Sequence, residues 1–523
     1  MVMKGAGSCW VRLEFRFLSL IEEPSNSDVK GVVVSNPDDS GTARNLIGGE
    51  LRDASTGRTL ENRNPATGKL INLVAASDAV DVDMAVSAAR EAFPAWSALP
   101  AVARGNLLFR ICQVMEDRAD ELARIVAEET GKAFADARGE VGGAIQCGRF
   151  FAGEGTRLFG RTMPSGTPDK YNMTVRRPVG VAGLIIAANT PIANVAWKLF
   201  PALVCGNAVV LKAPETAPNT ALAVARIAVE CGLPAGVFNL VQGTGIDAGQ
   251  PLVEHPGTRV ISFTGSSRAG KIIAEACAKQ LKKVSLELGG KNPLIVCADA
   301  DLDRAARWVC LSAFSNAGQR CSAASRVLVQ ESIYDDFKKL LLDKAAEVRT
   351  GIEPGDMCGP VITETALQNM LRSVDAAVGA GATLLMGGGR VTEPGKAAGY
   401  YMQPTLIENV ATDDPITETE LFGPIGVLYK FRDYAEALKM ANDGPYGLTA
   451  SIHTKDVDRA IHFAHNISAG VAVVNAGTYG SEPHMPFGGL RMSGNGSREP
   501  GTEALDIYSD LKDIYIVTET AGL

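Results

Sequence analysis

The sequence predicts an α/β protein with two domains, each built on a parallel sheet. Three observations predict it. Between residues 180 and 300, short apolar runs alternate with stretches long enough for a helix, the rhythm of βαβ units around a buried sheet. A second region with the same rhythm continues to about residue 474. Glycine accounts for 55 of the 523 residues, an excess over the usual ~7% that points to many tight turns and close backbone approaches.

Taken in order, residues 1–45 read as a flexible tail. Glu22 to Arg44 is mostly Ser, Asp, Asn, Pro and Gly around one short run, Val32–Val34. Arg12, Glu14 and Arg16 interrupt what would be the apolar stretch of a signal peptide. Helices then dominate to about residue 155: Leu107, Leu108, Ile111, Val114, Met115, Leu122, Ile125 and Val126 recur at helical spacing, with Gly131 as the C-cap. The uncharged stretch starting at Pro178 is long enough to suggest a membrane span. Pro178, Gly180, Gly183, Asn189, Thr190, Pro191 and Asn194 break it, and a strand, a turn and a helix fit better. Strands are read at Leu184–Ala187, Val209–Leu211, Val237–Val241, Val260–Phe263 and Val284–Leu288. In the second region they fall near Arg326–Gln330, Gly426–Lys430, Gly447–Ile452 and Gly470–Val474.

With 51 basic and 59 acidic residues, a net charge of −8, the chain has no electrostatic footprint for nucleic acid or an anionic membrane. Its ten cysteines include no CxxC pair, which argues against a disulfide framework and for a reducing cytoplasm. His462 and His465 are one helical turn apart without a third ligand nearby. They read as ordinary helix positions, and no metal site is assigned.

Two glycine patterns imitate known phosphate motifs. Gly265-Ser-Ser-Arg-Ala-Gly270-Lys271 opens like a P-loop, but Ile272 stands where the magnesium-binding Ser or Thr is needed. Gly243-Thr-Gly245-Ile-Asp-Ala-Gly249 misses GxGxxG by one position. The Gly265 segment still suits a pyrophosphate: a strand feeds a turn and a helix whose N-terminus offers free N–H groups, and Ser266 adds a donor. Lys212 and Glu215 follow a buried run, at the strand end where open α/β sheets bind ligands; an acid there accepts bonds from ribose hydroxyls. Taken alone, Lys-x-x-Glu is equally a solvated pair.

Cys321 lies in Gly318-Gln-Arg-Cys-Ser322, a polar setting unlike a core, and the cation of Arg320 beside it would lower a thiol pKa. Glu287 ends a strand just before Gly289 and Gly290. It is either a structural acceptor or a general base reachable through the space the glycines leave.

Glu287-Leu-Gly-Gly-Lys-Asn-Pro293, followed by Cys321 in its Gly-Gln-Arg-Cys-Ser context, resembles the aldehyde dehydrogenase superfamily, hydrolytic type. Lys212-Ala-Pro-Glu215, Phe263-Thr-Gly-Ser266, Glu420-Leu-Phe-Gly-Pro424 and Pro486-Phe-Gly-Gly489 with Ser493-Gly494 follow in the family's order. The resemblance runs from about residue 46 to the end. It implies two Rossmann-like parallel-sheet domains and a small β oligomerisation element. The cofactor domain would comprise 46–159 and 178–286, the catalytic domain 287–490, and the oligomerisation element 160–177 and 505–523. It implies a homodimer or homotetramer acting on a small-molecule aldehyde with NAD, NADP being the alternative cofactor. NAD is preferred because Glu215 would repel a phosphate. By the same resemblance Cys321 is the nucleophile, Asn189 the oxyanion-hole amide and Glu287 the base for thioester hydrolysis. Lys212 and Glu215 contact the adenosine ribose, Gly245, Gly265 and Ser266 the phosphates, Glu420 the nicotinamide ribose, and Phe422 the nicotinamide region.

The chain departs from the family at Ala187-Ala188-Asn189-Thr190, where an aromatic commonly follows the Asn. The inner pocket is then wider and more polar. With Arg320 beside the nucleophile, this points to a small polar or carboxylate-bearing semialdehyde, as in the succinate-semialdehyde and 2-oxoglutarate-semialdehyde branch. Tyr479 and His484 support an aromatic aldehyde as the alternative, and a general aliphatic aldehyde also stays open. A CoA-acylating relative and a non-enzymatic binding relative are the readings of other classes. Both are disfavoured by the presence together of Glu287 and Cys321.

Overall fold

The computed structural model describes residues 41–519. The expected tail lies outside them as far as residue 40, but residues 42–45 already belong to the folded body. Thr42–Ala43 pairs in parallel with Leu70–Ala75. Asn45 is buried, its amide bonded to the Ser77 hydroxyl and accepting the Gln242 N–H.

Helices do not begin at once after the tail. Strands Asn45–Ile47, Glu50–Arg52, Thr59–Arg63 and Leu70–Ala75 come first. Polar residues interrupt the apolar ones in these strands, and Asn62 and Asn72 hydrogen-bond to each other inside the protein, so no long apolar run announces them. The helices follow at Ala79–Ala98, Ala101–Asp117, Ala119–Thr130 and Phe134–Glu154. The first starts with a reciprocal capping box between Asp78 and Asp81. The long periodic stretch breaks at Arg118, and Gly131 ends its second half at φ 69°, the left-handed cap that glycine takes without strain.

The first large sheet has five parallel strands: β1 (Val181–Ile185), β2 (Ala208–Lys212), β3 (Phe238–Val241), β4 (Thr258–Thr264) and β5 (Lys283–Glu287). Their order is β5-β4-β1-β2-β3, extended beyond β3 by the antiparallel pair from residues 45–52. Every residue of β1, β2 and β3 is buried, because helices cover both faces of a parallel sheet, and only Asn239 and the terminal Lys212 interrupt their apolar character. From β1 the chain builds outward to β2 and β3, then returns to lay β4 and β5 on the other side. β1 and β4 therefore flank a topological switch point, the crevice where such sheets bind ligands. Helices α1 (Pro191–Val204), α2 (Pro218–Glu230) and α3 (Ser267–Lys279) leave from the carboxyl ends of β1, β2 and β4. The stretch suspected of spanning a membrane is β1, a turn and the start of α1. Among the described residues, no helix is long and apolar enough to cross a membrane.

The second large sheet contains β6 (Asn292–Val296), β7 (Ala324–Gln330), β8 (Thr405–Glu408), β9 (Ile425–Phe431), β10 (Thr449–His453) and β11 (Val471–Val474), all parallel, with Thr383–Met386 antiparallel at one edge. The sequence reading found four of these strands and missed β6, β8 and Thr383–Met386. β6 begins at Asn292, one residue beyond the Gly289-Gly290 pair. A separate sheet joins Thr162–Met163, Lys170–Pro178 and Ser509–Val517, the last two antiparallel from Ser509↔Pro178 to Val517↔Lys170. These are the segments expected to form the oligomerisation element. Near the end of the chain, Ser493 ties the two large sheets: its carbonyl accepts the Leu288 N–H at 3.0 Å and its hydroxyl accepts the Gly447 N–H at 3.1 Å.

Candidate active site

The carboxyl edge of the first sheet gathers most of the residues singled out in the sequence. Asn189 lies between β1 and α1, Lys212 ends β2, Gly245 follows β3, Gly265 and Ser266 join β4 to α3, and Glu287 ends β5. Ser266 caps α3, its hydroxyl oxygen accepting the Ala269 N–H. Gly265 is required there because an added Cβ would fall 2.4 Å from the Phe263 ring.

Cys321 comes from the other sheet, in the turn that enters β7. The approach to it is unusual: Asn316, Ala317 and Gly318 take φ of 54°, 54° and 66°, a left-handed run costing of order 1–2 kcal/mol at each non-glycine residue. Asn292, at the start of β6, holds the turn. Its amide donates to the carbonyls of Cys321 (2.8 Å) and Ala323 (2.9 Å), and its oxygen accepts the Thr449 N–H. The expected lowering of the thiol pKa by Arg320 does not prevail. Burial, with Glu420 and Glu287 nearby, pushes the Cys321 thiol up to about 12. The guanidinium of Arg320 is instead stacked 4.5 Å from the Tyr479 ring and bonded to the Ser315 hydroxyl.

One cavity of about 360 Å³ brings Cys321, Glu287, Asn189, Gly265, Ser266, Glu420 and Phe422 together. Lys212, Glu215 and Gly245 do not line it. Lys212, almost fully buried, donates to Glu215 at 3.1 Å, further along the same sheet edge. The Asn189 amide donates to the Gln319 carbonyl at 2.9 Å. Since that oxygen only accepts, the amide's orientation is fixed, and its second N–H remains available. Glu287 is buried with neither carboxyl oxygen hydrogen-bonded. Burial first, then Glu499, holds it well above the usual carboxylate range, with Lys198 and Arg498 opposing. Glu420 accepts the Gly290 N–H at 3.0 Å, and burial pushes it up to about 7. Trp197 and Phe487, with ring centroids 5.5 Å apart, form an apolar wall, beside polar Thr190 and Asn194.

The site contains residues that sequence reasoning missed. Lys198 and Glu499 form a fully buried ion pair at 2.6 Å, with the Ser262 and Ser285 hydroxyls on Glu499. Lys132 and Glu140 form another at 2.6 Å behind Asn189. The first pair joins segments 301 positions apart and the second only 8, and no local pattern marks either; a charged Lys198 inside the apolar run of α1 was the one available signal. Among the described residues no group of three or more His, Cys, Asp or Glu side chains is placed to hold a metal.

The cavity connects a helix-capped phosphate-type turn to a cysteine, an anchored amide and an unpaired carboxyl. Gly289 opens room for Glu420, because a Cβ there would lie 1.9 Å from its Oε2. An acceptor beside a glycine cradle suits the ribose of a dinucleotide, so these residues fit such a cofactor.

Residues 51–514 match the model of the aldehyde dehydrogenase family. The chain is 41% identical over 479 residues to an alpha-ketoglutaric semialdehyde dehydrogenase of Bacillus subtilis, covering 91% of this chain and 98% of that one. It is 40% identical to a phenylacetaldehyde dehydrogenase of Pseudomonas fluorescens, over 90% of this chain and 95% of that one. Its fold matches the structure of betaine aldehyde dehydrogenase from Staphylococcus aureus in complex with NAD+, with a TM-score of 0.89 at 32% identity, covering 92% of this chain and 97% of that one. Similarity over this length makes the chain a member of the aldehyde dehydrogenase family, oxidoreductases that act on aldehydes.

Proposed function

We propose that the chain oxidises a small polar or carboxylate-bearing semialdehyde to the carboxylic acid, with NAD as cofactor, through covalent catalysis at Cys321. The observation that carries this reading is the single cavity in which Cys321, the anchored Asn189 amide and the unpaired Glu287 carboxyl meet the turn at Gly265 and Ser266. Cys321, once ionised, attacks the aldehyde carbon. The Asn189 N–H and the backbone N–H of Cys321 stabilise the resulting alkoxide, the type of preorganised donor worth ~10²–10³ in rate. NAD, when bound, would supply the hydride acceptor that collapse of the tetrahedral adduct requires. Glu287, having lost its proton, takes one from water and directs that water to the thioester, which releases the acid and restores the thiol. Gly265 and Ser266 would hold the phosphates and Glu420 the nicotinamide ribose, with Phe422 against the ring. Lys212, Glu215 and Gly245, on the same sheet edge, would serve the adenosine half. Glu215 favours NAD over NADP through like-charge repulsion of a ribose phosphate.

The semialdehyde preference draws on the Bacillus relative and on polar Thr190 beside Asn189. A second reading has its own observation: the Trp197–Phe487 wall, in a cavity lined by no Lys or Arg, suits an aromatic or aliphatic chain, as in the Pseudomonas relative. Comparing kcat/KM for succinate semialdehyde, 2-oxoglutarate semialdehyde, phenylacetaldehyde and butanal decides. Semialdehydes should lead; if both uncharged aldehydes outperform them, the anionic substrate is wrong. Product analysis tests the reaction itself: free acid with NADH is expected, whereas acyl-CoA formed with added CoA, or no NADH at all, would overturn it.

We also assign the chain to the cytoplasm, as a homodimer or homotetramer. The sheet of Lys170–Pro178 and Ser509–Val517 supports the oligomer by exposing Tyr171, Leu511, Tyr515 and Val517 on one small element. The cofactor and catalytic domains are assigned to the first and second large sheets.

A further inference from the structure

Behind the amide of Asn189 stands a charged pair with no counterpart in the reaction described above. The side chains of Lys132 and Glu140 are 5% and 7% exposed, with nitrogen and oxygen 2.6 Å apart. Lys132 lies between the helices Ala119–Thr130 and Phe134–Glu154, and Glu140 is in the second of them. Neither charge faces the cavity. Both are turned to the segment that carries Asn189.

Lys132 Nζ donates to the Asn189 carbonyl at 2.9 Å. Glu140 Oε1 accepts the Ile192 and Ala193 N–H groups at 3.1 and 3.3 Å. Those are first-turn donors of α1, whose N-cap residue, Thr190, makes no capping bond with its side chain. Glu140 therefore supplies the cap from a distant helix and puts a negative charge at the positive end of α1. From the nucleophile's side, Gln319 accepts from the Asn189 amide at 2.9 Å and the Asn316 amide reaches the Asn189 carbonyl at 3.4 Å. Asn189 is thus held at its carbonyl, at its amide and through the helix it precedes.

We propose that Lys132 and Glu140 are positioning residues that fix the Asn189 amide relative to Cys321, Lys132 by gripping its carbonyl and Glu140 by fixing the start of α1. This rests on the reading of Asn189 as the oxyanion donor. The pair touches neither substrate nor cofactor; it acts through Asn189. A donor misplaced by about 1 Å costs on the order of 10²-fold, so holding it there is a catalytic requirement as much as a structural one.

Removing one partner would leave the other charge buried and unpaired, so the main variant replaces both: Lys132→Met with Glu140→Gln, whose amide oxygen can still cap α1. The probe is p-nitrophenyl acetate without cofactor, since thiolate attack on this ester creates the same oxyanion and releases p-nitrophenolate. The double variant should acylate ~10–100-fold more slowly, with KM within about threefold and NADH binding, followed by fluorescence, unchanged. In an Asn189→Ala background the same double change should add less than about threefold. The proposal is overturned if the double variant acylates at the wild-type rate, or if it slows the reaction as much without Asn189 as with it. A wild-type rate in Asn189→Ala alone overturns the oxyanion reading first, and this inference with it. Lys132→Arg, which keeps the charge and can still donate to the Asn189 carbonyl, should recover part of the rate; no recovery relative to Lys132→Met counts against the grip.

Discussion

Substituting Gly289 by alanine should damage the grip on the cofactor while sparing the fold. The added Cβ would lie 1.9 Å from Glu420 Oε2 and 2.7 Å from its Cδ, where real Cβ contacts do not fall below 3.0 Å. The carboxylate must therefore retreat by at least 3.0 − 1.9 = 1.1 Å. The obstructing atoms are the far end of a flexible side chain, so Glu420 moves and the backbone stays. Retreat breaks the 3.0 Å bond from the Gly290 N–H, a bond to a charged group worth about 1.5–3 kcal/mol. It also withdraws the acceptor assigned to the nicotinamide ribose. Single-turnover NADH formation should fall by roughly 10–150-fold, the same energy expressed as a rate, while Tm shifts by less than about 3 °C. NADH fluorescence titration and rapid mixing measure the two effects, with a thermal melt as control. Unchanged single-turnover kinetics would refute the reasoning about Glu420. A large drop in Tm would show that the collision is not confined to its side chain.

Cys321→Ser should lose NADH formation while still binding cofactor, because a hydroxyl ionises far less readily than a thiol and is a much weaker nucleophile; more than trace turnover would end its assignment as nucleophile. Glu287→Gln should release one equivalent of NADH per site and then stall at the thioester, and wild-type steady turnover would sink its role as base. With the Cys321 thiol pushed up to about 12, iodoacetamide alkylation of the cofactor-free protein should climb about tenfold per pH unit from 7 to 10, since only the thiolate reacts. A plateau near pH 8.5 contradicts that. Glu420, pushed up to about 7, is increasingly ionised as pH rises through neutrality, and only then is it a full acceptor for ribose. NAD affinity should therefore increase from pH 6 to pH 8, and Glu420→Gln should flatten the profile; a pH-independent Kd in the parent protein would remove Glu420 from the contact.

Local chemistry made part of this molecule readable. Each strand of the first sheet carries a short apolar stretch because the sheet is covered on both faces, so β1 to β5 were located without structure. Cys321, Glu287, Asn189, Glu420 and the Gly265 turn were found because short motifs in a fixed order resemble a family, and the structure brings them to one cavity. Hidden features depend on partners far along the chain. Strands 59–63 and 70–75 carry Asn62 and Asn72, whose burial makes sense only once Glu129 and Asn219 are in place. Arg320 looked like an activator because it adjoins Cys321 in sequence, but neighbouring residues project apart, and its cation rests on Tyr479. The Lys132–Glu140 and Lys198–Glu499 pairs span 8 and 301 positions respectively, and a charge's burial is invisible until the fold closes over it.

The tie through Ser493 carries a consequence for how such a protein fails. Glu287 is rooted in one large sheet and Cys321 in the other; among the described residues no strand ladder joins the two sheets, and loop contacts such as those of Ser493 span them. Contacts of that kind open at lower free energy than the strands of a core. Mild urea or heat should therefore widen the catalytic gap while both sheets are still intact. Activity would vanish at a denaturant concentration where circular dichroism still reads native, and return on dilution without any refolding of the sheets. Inactivation of this protein would then report the loosening of a seam rather than the melting of a domain.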